Sequence, residues 1–168
     1  MNTKIRYTEM DDLPTVMSIY EYAREQMKLN GNPHQWRDTN PAEAVIINDI
    51  KNKNSYVIEC DEAIVGVFTF IIGEDPTYKT IEGQWKDDGA YGTIHRIASS
   101  GIIHGVFDMC LKFCESKISS IRIDTHRDNK IMQHLILKNG FEMCGIIYVA
   151  DGSPRIAYQK VIDCENKE

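Results

Sequence analysis

The stretch Ile94-His95-Arg96-Ile97-Ala98-Ser99-Ser100-Gly101-Ile102-Ile103-His104-Gly105-Val106-Phe107 decides how this chain folds. Apolar, β-favouring residues run into small ones, a turn holding two glycines follows, and an amphipathic pattern begins at once. The pattern predicts a strand over Thr93–Ser99 and a helix over Gly101–Lys117, with Ile103, Phe107, Cys110 and Cys114 along one stripe. A helix opening on such a turn offers unpaired backbone N–H groups and the positive end of its dipole, which suits an anion such as a pyrophosphate. Gly101 and Gly105 let the backbone approach a ligand where a β-carbon would stand in the way. A strand-to-helix connection with glycines kept for packing accounts for the same residues without a ligand.

Downstream the pattern alternates. A strand over Ile121–Thr125 leads to a helix from Asp128 or Asn129 to Lys138, closed by Asn139-Gly140. Two last strands, Phe141–Ala150 and Arg155–Val161, flank the turn Asp151-Gly152-Ser153-Pro154. Upstream, Ile5-Arg6-Tyr7 is a short strand, and Asp11-Asp12-Leu13-Pro14 starts a helix that stops before Asn30-Gly31-Asn32-Pro33. A second helix spans Pro41–Lys51. Ser55–Cys60 and Ala63–Ile72 form a hairpin across Asp61-Glu62. Between Gly73 and Ala90 the chain is polar and aromatic, a long excursion of the kind that carries function. Strand–helix alternation with hairpins on either side implies a mixed sheet with helices on both faces.

Composition narrows the function. The 168 residues hold 19 Lys+Arg against 25 Asp+Glu, a net charge of −6, and 42 % are hydrophobic. That is the balance of a globular domain, and its acidity is a poor match for a phosphate backbone, so no nucleic-acid partner is expected. No apolar run approaches the roughly 20 residues of a membrane span, and the N-terminus lacks a signal-peptide stretch. Five cysteines without framework spacing read as reduced thiols, and the expectation is a cytoplasmic protein. Cys110 and Cys114 have no histidine or carboxylate at matching spacing, and His126 and His134 form no H-E-x-x-H pair, so no metal site is expected. Ser99-Ser100-Gly101 is no nucleophile elbow, and Walker and G-x-G-x-x-G loops are absent.

Two segments together resemble a known family. The strand–turn–helix at Ile94–Phe107, and the later segment Asp124-Thr125-His126-Arg127-Asp128-Asn129 with its helix ending Lys138-Asn139-Gly140-Phe141, are similar to the cofactor motifs of the GNAT superfamily of acyl-CoA-dependent N-acetyltransferases. The resemblance covers essentially the whole chain. It implies a single α/β (α+β) domain over residues 1–162 with a short polar tail at 163–168. The sheet would be mixed, mostly antiparallel and twisted, with about six to seven strands and helices on both faces. The cofactor, acetyl-CoA, would lie between two splayed central strands. By position the resemblance implies backbone contacts to the pantetheine arm from Ile97 and Ser99, flanking Ala98. Amides from Ser100 through Gly101, Ile102, Ile103, His104 and Gly105 to Val106 would surround the pyrophosphate, and Asn129 would touch the pantetheine end. Two departures stand out: Ser100 and Ile103 replace the polar residue and middle glycine of the Q/R-x-x-G-x-G/A loop, and Ile136 stands where a tyrosine acid is common.

The chemistry ranks the missing groups. Freeing the lone pair of a lysine-like amine at pH 7 costs about 3.4 pKa units, roughly 4.6 kcal/mol, whereas a thiol needs only about 1.5 units, roughly 2 kcal/mol, to leave as thiolate. A base therefore matters more than an acid. His95, on the strand flanking the thioester, is the first candidate base and Asp124 the second; Tyr148 is the candidate acid. Each also has an ordinary reading, as a hydrogen-bonded strand or aromatic residue. Trp36, Tyr78, Trp85 and Tyr91 are candidate walls for the acceptor, with Glu82 among the acidic residues of the excursion (Glu74, Asp75, Asp87 and Asp88 are the others) that would draw in a cation. A solvated acidic loop with aromatics folded onto the core is the plainer account. The expected activity is acetyl transfer from acetyl-CoA to a primary amine of a small molecule by direct attack, and a homodimer is compatible with it. The competing expectation is a catalytically silent acyl-CoA or ligand-binding module of the same fold.

Overall fold

A computed structural model describes residues 2–163; the tail beyond Asp163 lies outside the described residues. The elements follow in the order β1 (Thr3–Tyr7), α1 (Leu13–Leu29), α2 (Glu43–Lys51), β2 (Ser55–Cys60), β3 (Ala63–Ile72), β4 (Glu82–Gly83), β5 (Gly92–Ser99), α3 (Val106–Glu115), β6 (Ser120–Thr125), α4 (Lys130–Lys138), β7 (Glu142–Tyr148) and β8 (Pro154–Val161). They build one eight-stranded sheet in the order β1-β2-β3-β5-β6-β8-β7-β4. All neighbours run antiparallel except β5 and β6. The strand beyond the expected six to seven is β4, two residues inside the excursion that pair with Ile146 and Gly145 of β7. Its shortness hid it from any periodicity.

Both sheet faces are covered, which is why β3 reads as a continuous apolar run rather than an alternation. Val57, Val67 and Ala98 pack with Val16, Ile19 and Tyr20 of α1 and Ile46 and Ile50 of α2. Their neighbours Ile58, Phe68 and Ile94 face the other way, toward Val106, Phe107, Cys110 and Cys114 of α3 and Ile136 of α4. Each large side chain buried this way contributes about 1.5–3 kcal/mol. The hairpin at Asp61-Glu62 turns through two residues of positive φ, 49° and 72°, the geometry that matches strand twist.

The helix expected from Gly101 starts five residues later, at Val106. Gly101 and Gly105 both take left-handed backbone, φ 80° and 84°, and helical geometry begins only after the second. Ser100–Gly105 is therefore an open loop. On β3, Gly66 makes room for the start of α3, since a Cβ there would lie 2.9 Å from Val106 Cγ1.

One irregularity shapes the centre of the sheet. The β3–β5 register shifts between the pairs Val67–Ala98 and Thr69–His95, so Arg96 and Ile97 stand opposite Phe68 alone. Arg96 sits at φ 51°. This is a bulge, which bends a strand, and pairing with β3 resumes beyond it at Ala98 and Ser99. On its other side β5 pairs with β6 only at Gly92 and Thr93. Past Ile94 the two parallel strands diverge.

Candidate active site

Two connected cavities occupy the gap opened by that divergence. The larger, about 420 Å³, lies between β5 and β6 and is lined by His95, Arg96, Ile97, Asp124 and Arg155, with Trp36 on its wall. The smaller, about 270 Å³, runs past Ala98, Ser99 and Gly101 to the start of α4. Met27, Ile97, Asn129 and Met132 border both, so they form one cleft.

The bulge that opens the cleft is held from behind. Asp49 of α2 takes two hydrogen bonds from Arg96, at 2.9 and 2.8 Å, and a third from Thr69 Oγ1 at 2.8 Å. The Tyr20 hydroxyl donates to the Arg96 carbonyl at 2.7 Å. A bidentate pair on a buried carboxylate, with the half-buried Arg96 as its partner, fixes geometry well.

At the far end of the smaller cavity, the Ser99 and Ser100 hydroxyls accept from the amides of Gly101 and Ile102, at 3.1 and 3.3 Å. Among the described residues, none accepts from the N–H groups of Ile103, His104, Gly105, Val106, Phe107 or Asp108. A Cβ on Gly105 would meet nothing within 4 Å. Unpaired amides at a helix start beside open space could hold an anion. The departures at Ser100 and Ile103 leave this arrangement intact because it is made of main chain.

Around His95 two carboxylates take opposite characters, Asp124 on the cavity wall and Asp75 behind it. His95 Nε2 lies 2.9 Å from Asp75 Oδ2. Asp75 Oδ1 accepts from the amide and hydroxyl of Thr77 at 2.9 and 2.7 Å. Burial works against the Asp75 charge, but the hydrogen bonds from His95 and Thr77 outweigh it and hold its pKa at about 2. Asp124 sits deep in the fold with part of its surface open to the cavity. Burial raises its pKa, and the hydrogen bond from Tyr78 and the fields of His95 and Arg155 offset only part of the rise. The Tyr78 hydroxyl donates to Asp124 Oδ2 at 2.6 Å and keeps its own proton, since burial and the neighbouring carboxylate push its pKa well up.

The other expected residues divide. Trp36 lines the cavity and packs edge-on to Tyr20 at 5.7 Å. Tyr78, Trp85 and Tyr91 gather behind His95 and Asp124 instead, with Arg122 sandwiched 4.1 Å from the Trp85 ring centre and 3.8 Å from that of Tyr91. They back the site and line neither cavity. Tyr148 lies outside both as well, exposed at the end of β7, donating to Glu82 Oε1 at 3.0 Å. Within the acidic excursion, Asp75 and Asp87 turn inward onto His95 and Gln159. Asn129 lines the cleft, but its side chain is already engaged: it caps α4 by accepting from Met132 N at 3.1 Å and donates to Gln35 Oε1 at 2.9 Å.

Of three further residues of the site, Gln35 and Arg155 carry no mark in the sequence and Asp75 only a weak one. Asp75 stood among other acids in a polar stretch, and only the Asp-Pro-Thr turn signal, with its Asx-type bonds, sets it apart. Gln35 joins the α1–α2 loop to α4, its amide oxygen taking both Asn129 and Asn32. Arg155 arrives from the last strand.

The sheet thus splits between two parallel strands, with unpaired amides toward one end of the gap and paired ionisable groups at the other. No protein-family model matches the chain, and no curated protein matches it in sequence. Solved structures do. An acetyltransferase of the GNAT family from Streptococcus agalactiae is 31 % identical, with 96 % of each chain covered and a TM-score of 0.87. A GNAT-family acetyltransferase from Listeria monocytogenes shares 19 % identity over 95 % of each chain at a TM-score of 0.71. A Salmonella typhimurium protein solved with its cofactor acetyl-CoA shares the fold at 13 % identity, with 96 % of this chain and 95 % of that one covered and a TM-score of 0.63. The chain belongs to the GNAT family of acetyltransferases.

Proposed function

We propose that the protein transfers acetyl from acetyl-CoA to the primary amine of a small molecule by direct attack. The observation that carries this reading is the single cleft, running from Ser99 and Gly101, at the start of the loop that leads to the unpaired amides of Ile103–Asp108, to His95 and Asp124. Bound there, acetyl-CoA supplies an activated thioester. The amides take its diphosphate, and the main chain of β5 beyond the bulge, paired with β3 on one side but without a partner on the side facing β6, offers hydrogen bonds to the pantetheine arm at Ile97 and Ser99. Met27, Ile97 and Met132 keep the reacting end dry.

His95 serves as the base. The ionised Asp75 holds Nε2–H, which fixes the tautomer and leaves Nδ1 with its lone pair. That nitrogen takes the proton of the attacking ammonium, and Asp75 stabilises the resulting imidazolium. Asp124, with one oxygen bound to Tyr78, keeps the other for the incoming ammonium. The departing thiolate needs little help, which agrees with Ile136 standing where an acid is common and with Tyr148 lying outside the cleft.

The test is thiol release from acetyl-CoA across a panel of polyamines, amino acids and aminoglycosides, with His95→Ala alongside. The account expects turnover on a small amine and a fall in kcat of about 10²–10⁴-fold in the variant. Tight CoA binding without thiol release on any acceptor would establish the competing account, an acyl-CoA-binding module.

A further inference from the structure

The larger cavity is lined by three arginines, and they are not alike. Arg96 is held by Asp49, and Arg37 at the rim lies 3.6 Å from Asp151. Arg155 is 8 % exposed, and among the described residues no carboxylate approaches it within salt-bridge distance. Its guanidinium donates only to two main-chain oxygens, of Pro154 at 2.9 Å and Gln35 at 3.3 Å. A guanidinium carries five N–H donors and stays charged, so this one keeps donors unspent inside a cavity. Asp124 and Asp151 act on it through their fields without reaching it, so a guanidinium with spare donors on a cavity wall is open to a ligand's anion.

Its position gives the ligand's shape. On β8, Ala157 stands opposite Asp124 of β6, and Arg155 is two residues further along. Asp124 and Arg155 therefore share one face of the sheet as diagonal neighbours, residues about 7–8 Å apart with their Cβ atoms somewhat closer. A negative group and a positive group thus face one cavity, whose wall also carries apolar Trp36, Val45 and Val149 beside polar Gln35, Thr125 and Asp151.

We infer that the acceptor is a free amino acid or a close analogue, its ammonium set between Asp124 and His95, its carboxylate on the Arg155 guanidinium and its apolar side chain against Trp36. This deepens the transferase reading and rests on it. A polyamine has nothing to offer Arg155, and a peptide N-terminus has no carboxylate near its amine. Specificity of this kind comes from leaving the site's buried polar group unpaired when the wrong ligand binds.

The experiment sets L-leucine and L-phenylalanine against their carboxamides, with an alanine-initiated peptide as a third acceptor, in both thiol release and calorimetric titration of the CoA-loaded protein. The amides have less basic amines and are intrinsically readier to react, so a preference for the acids must come from binding. The expected result is kcat/KM at least tenfold higher for the acids. Arg155→Gln should erase that preference by raising KM at least tenfold more for the acids than for the amides, which share only the change at Asp124; Arg155→Lys should recover part of it. Equal losses on acids and amides, or a wild-type preference for amides or the peptide, would overturn the inference. If nothing is acetylated, the transferase reading fails, and the titration still decides this one: acids binding more tightly than amides, and only with Arg155 present, uphold the subsite, and equal binding refutes it. Circular dichroism and thermal melts of both variants separate misfolding from loss of the contact.

Discussion

Asp75 and His95, twenty residues apart in the chain, meet at 2.9 Å between the excursion and the bulged strand β5. Asp75 reaches that position because its amide donates to the Tyr91 hydroxyl at 2.8 Å while its carboxylate closes the turn on Thr77. The carboxylate thus orients a histidine that lines the cleft, and the histidine secures the loop in return.

Replacing Asp75 with Asn should leave the fold and CoA affinity in place but lower kcat about 10–100-fold, with KM little changed, because the wrong His95 tautomer becomes accessible. Steady-state kinetics with a circular dichroism spectrum check this. A larger effect on KM than on kcat would show that Asp75 acts through the acceptor.

Asp75 also sets a pH dependence. Its pKa falls from 3.8 in the unfolded chain to about 2 in the fold. A depressed carboxylate contributes stability that is complete above the unfolded value and lost as pH falls through the folded one. The wild type should therefore lose on the order of 1–2 kcal/mol more than Asp75→Asn between about pH 4 and pH 2, a figure that allows for solvent screening. Denaturant titrations at the two pH values measure the difference.

Tyr78→Phe removes the donor that Asp124 holds at 2.6 Å and leaves a deep carboxylate short of a partner. The expected cost is about 1–3 kcal/mol of stability at neutral pH. Burial already raises the Asp124 pKa, so this deficit should shrink on acidification, as the protonated carboxyl no longer needs the phenol's hydrogen. Melts at pH 7 and pH 4 read both effects.

Gly105→Asp puts a negative charge on a left-handed position that faces open space. Aspartate tolerates that backbone at about 1 kcal/mol, so the fold should hold. CoA affinity should fall at least tenfold and recover partly in high salt, since the charge sits among the amides. Titration calorimetry at two ionic strengths decides it.

The sequence reported the frame of this molecule well and its site only in part. The strand–turn–helix at Ile94–Phe107 and the α4 segment ending in Gly140 are local signals, carried by turn chemistry and helical period, and they located the cleft. The start of α3 was misplaced because Gly101-Ile102-Ile103-His104 satisfies helical spacing, while the left-handed backbone at Gly101 and Gly105 overrides it. The aromatic residues of the excursion were legible as a group, yet a sequence does not distinguish the wall of a cavity from the layer behind it, and Tyr78, Trp85 and Tyr91 form the layer behind. Asp75, Gln35 and Arg155 came from three distant segments, and only the closed sheet brings them to one place. The bulge at Arg96 belongs to the same class: its cause is Asp49, forty-seven residues upstream.

The central claim is that one cleft holds the coenzyme from the Ile103–Asp108 amides to the gap between β5 and β6. A crystal structure of the protein with acetyl-CoA tests it most directly. The account predicts the diphosphate within about 3 Å of those amides and the thioester between the diverging strands beside His95. A coenzyme seated elsewhere, with the loop empty and side chains filling the gap, would contradict it.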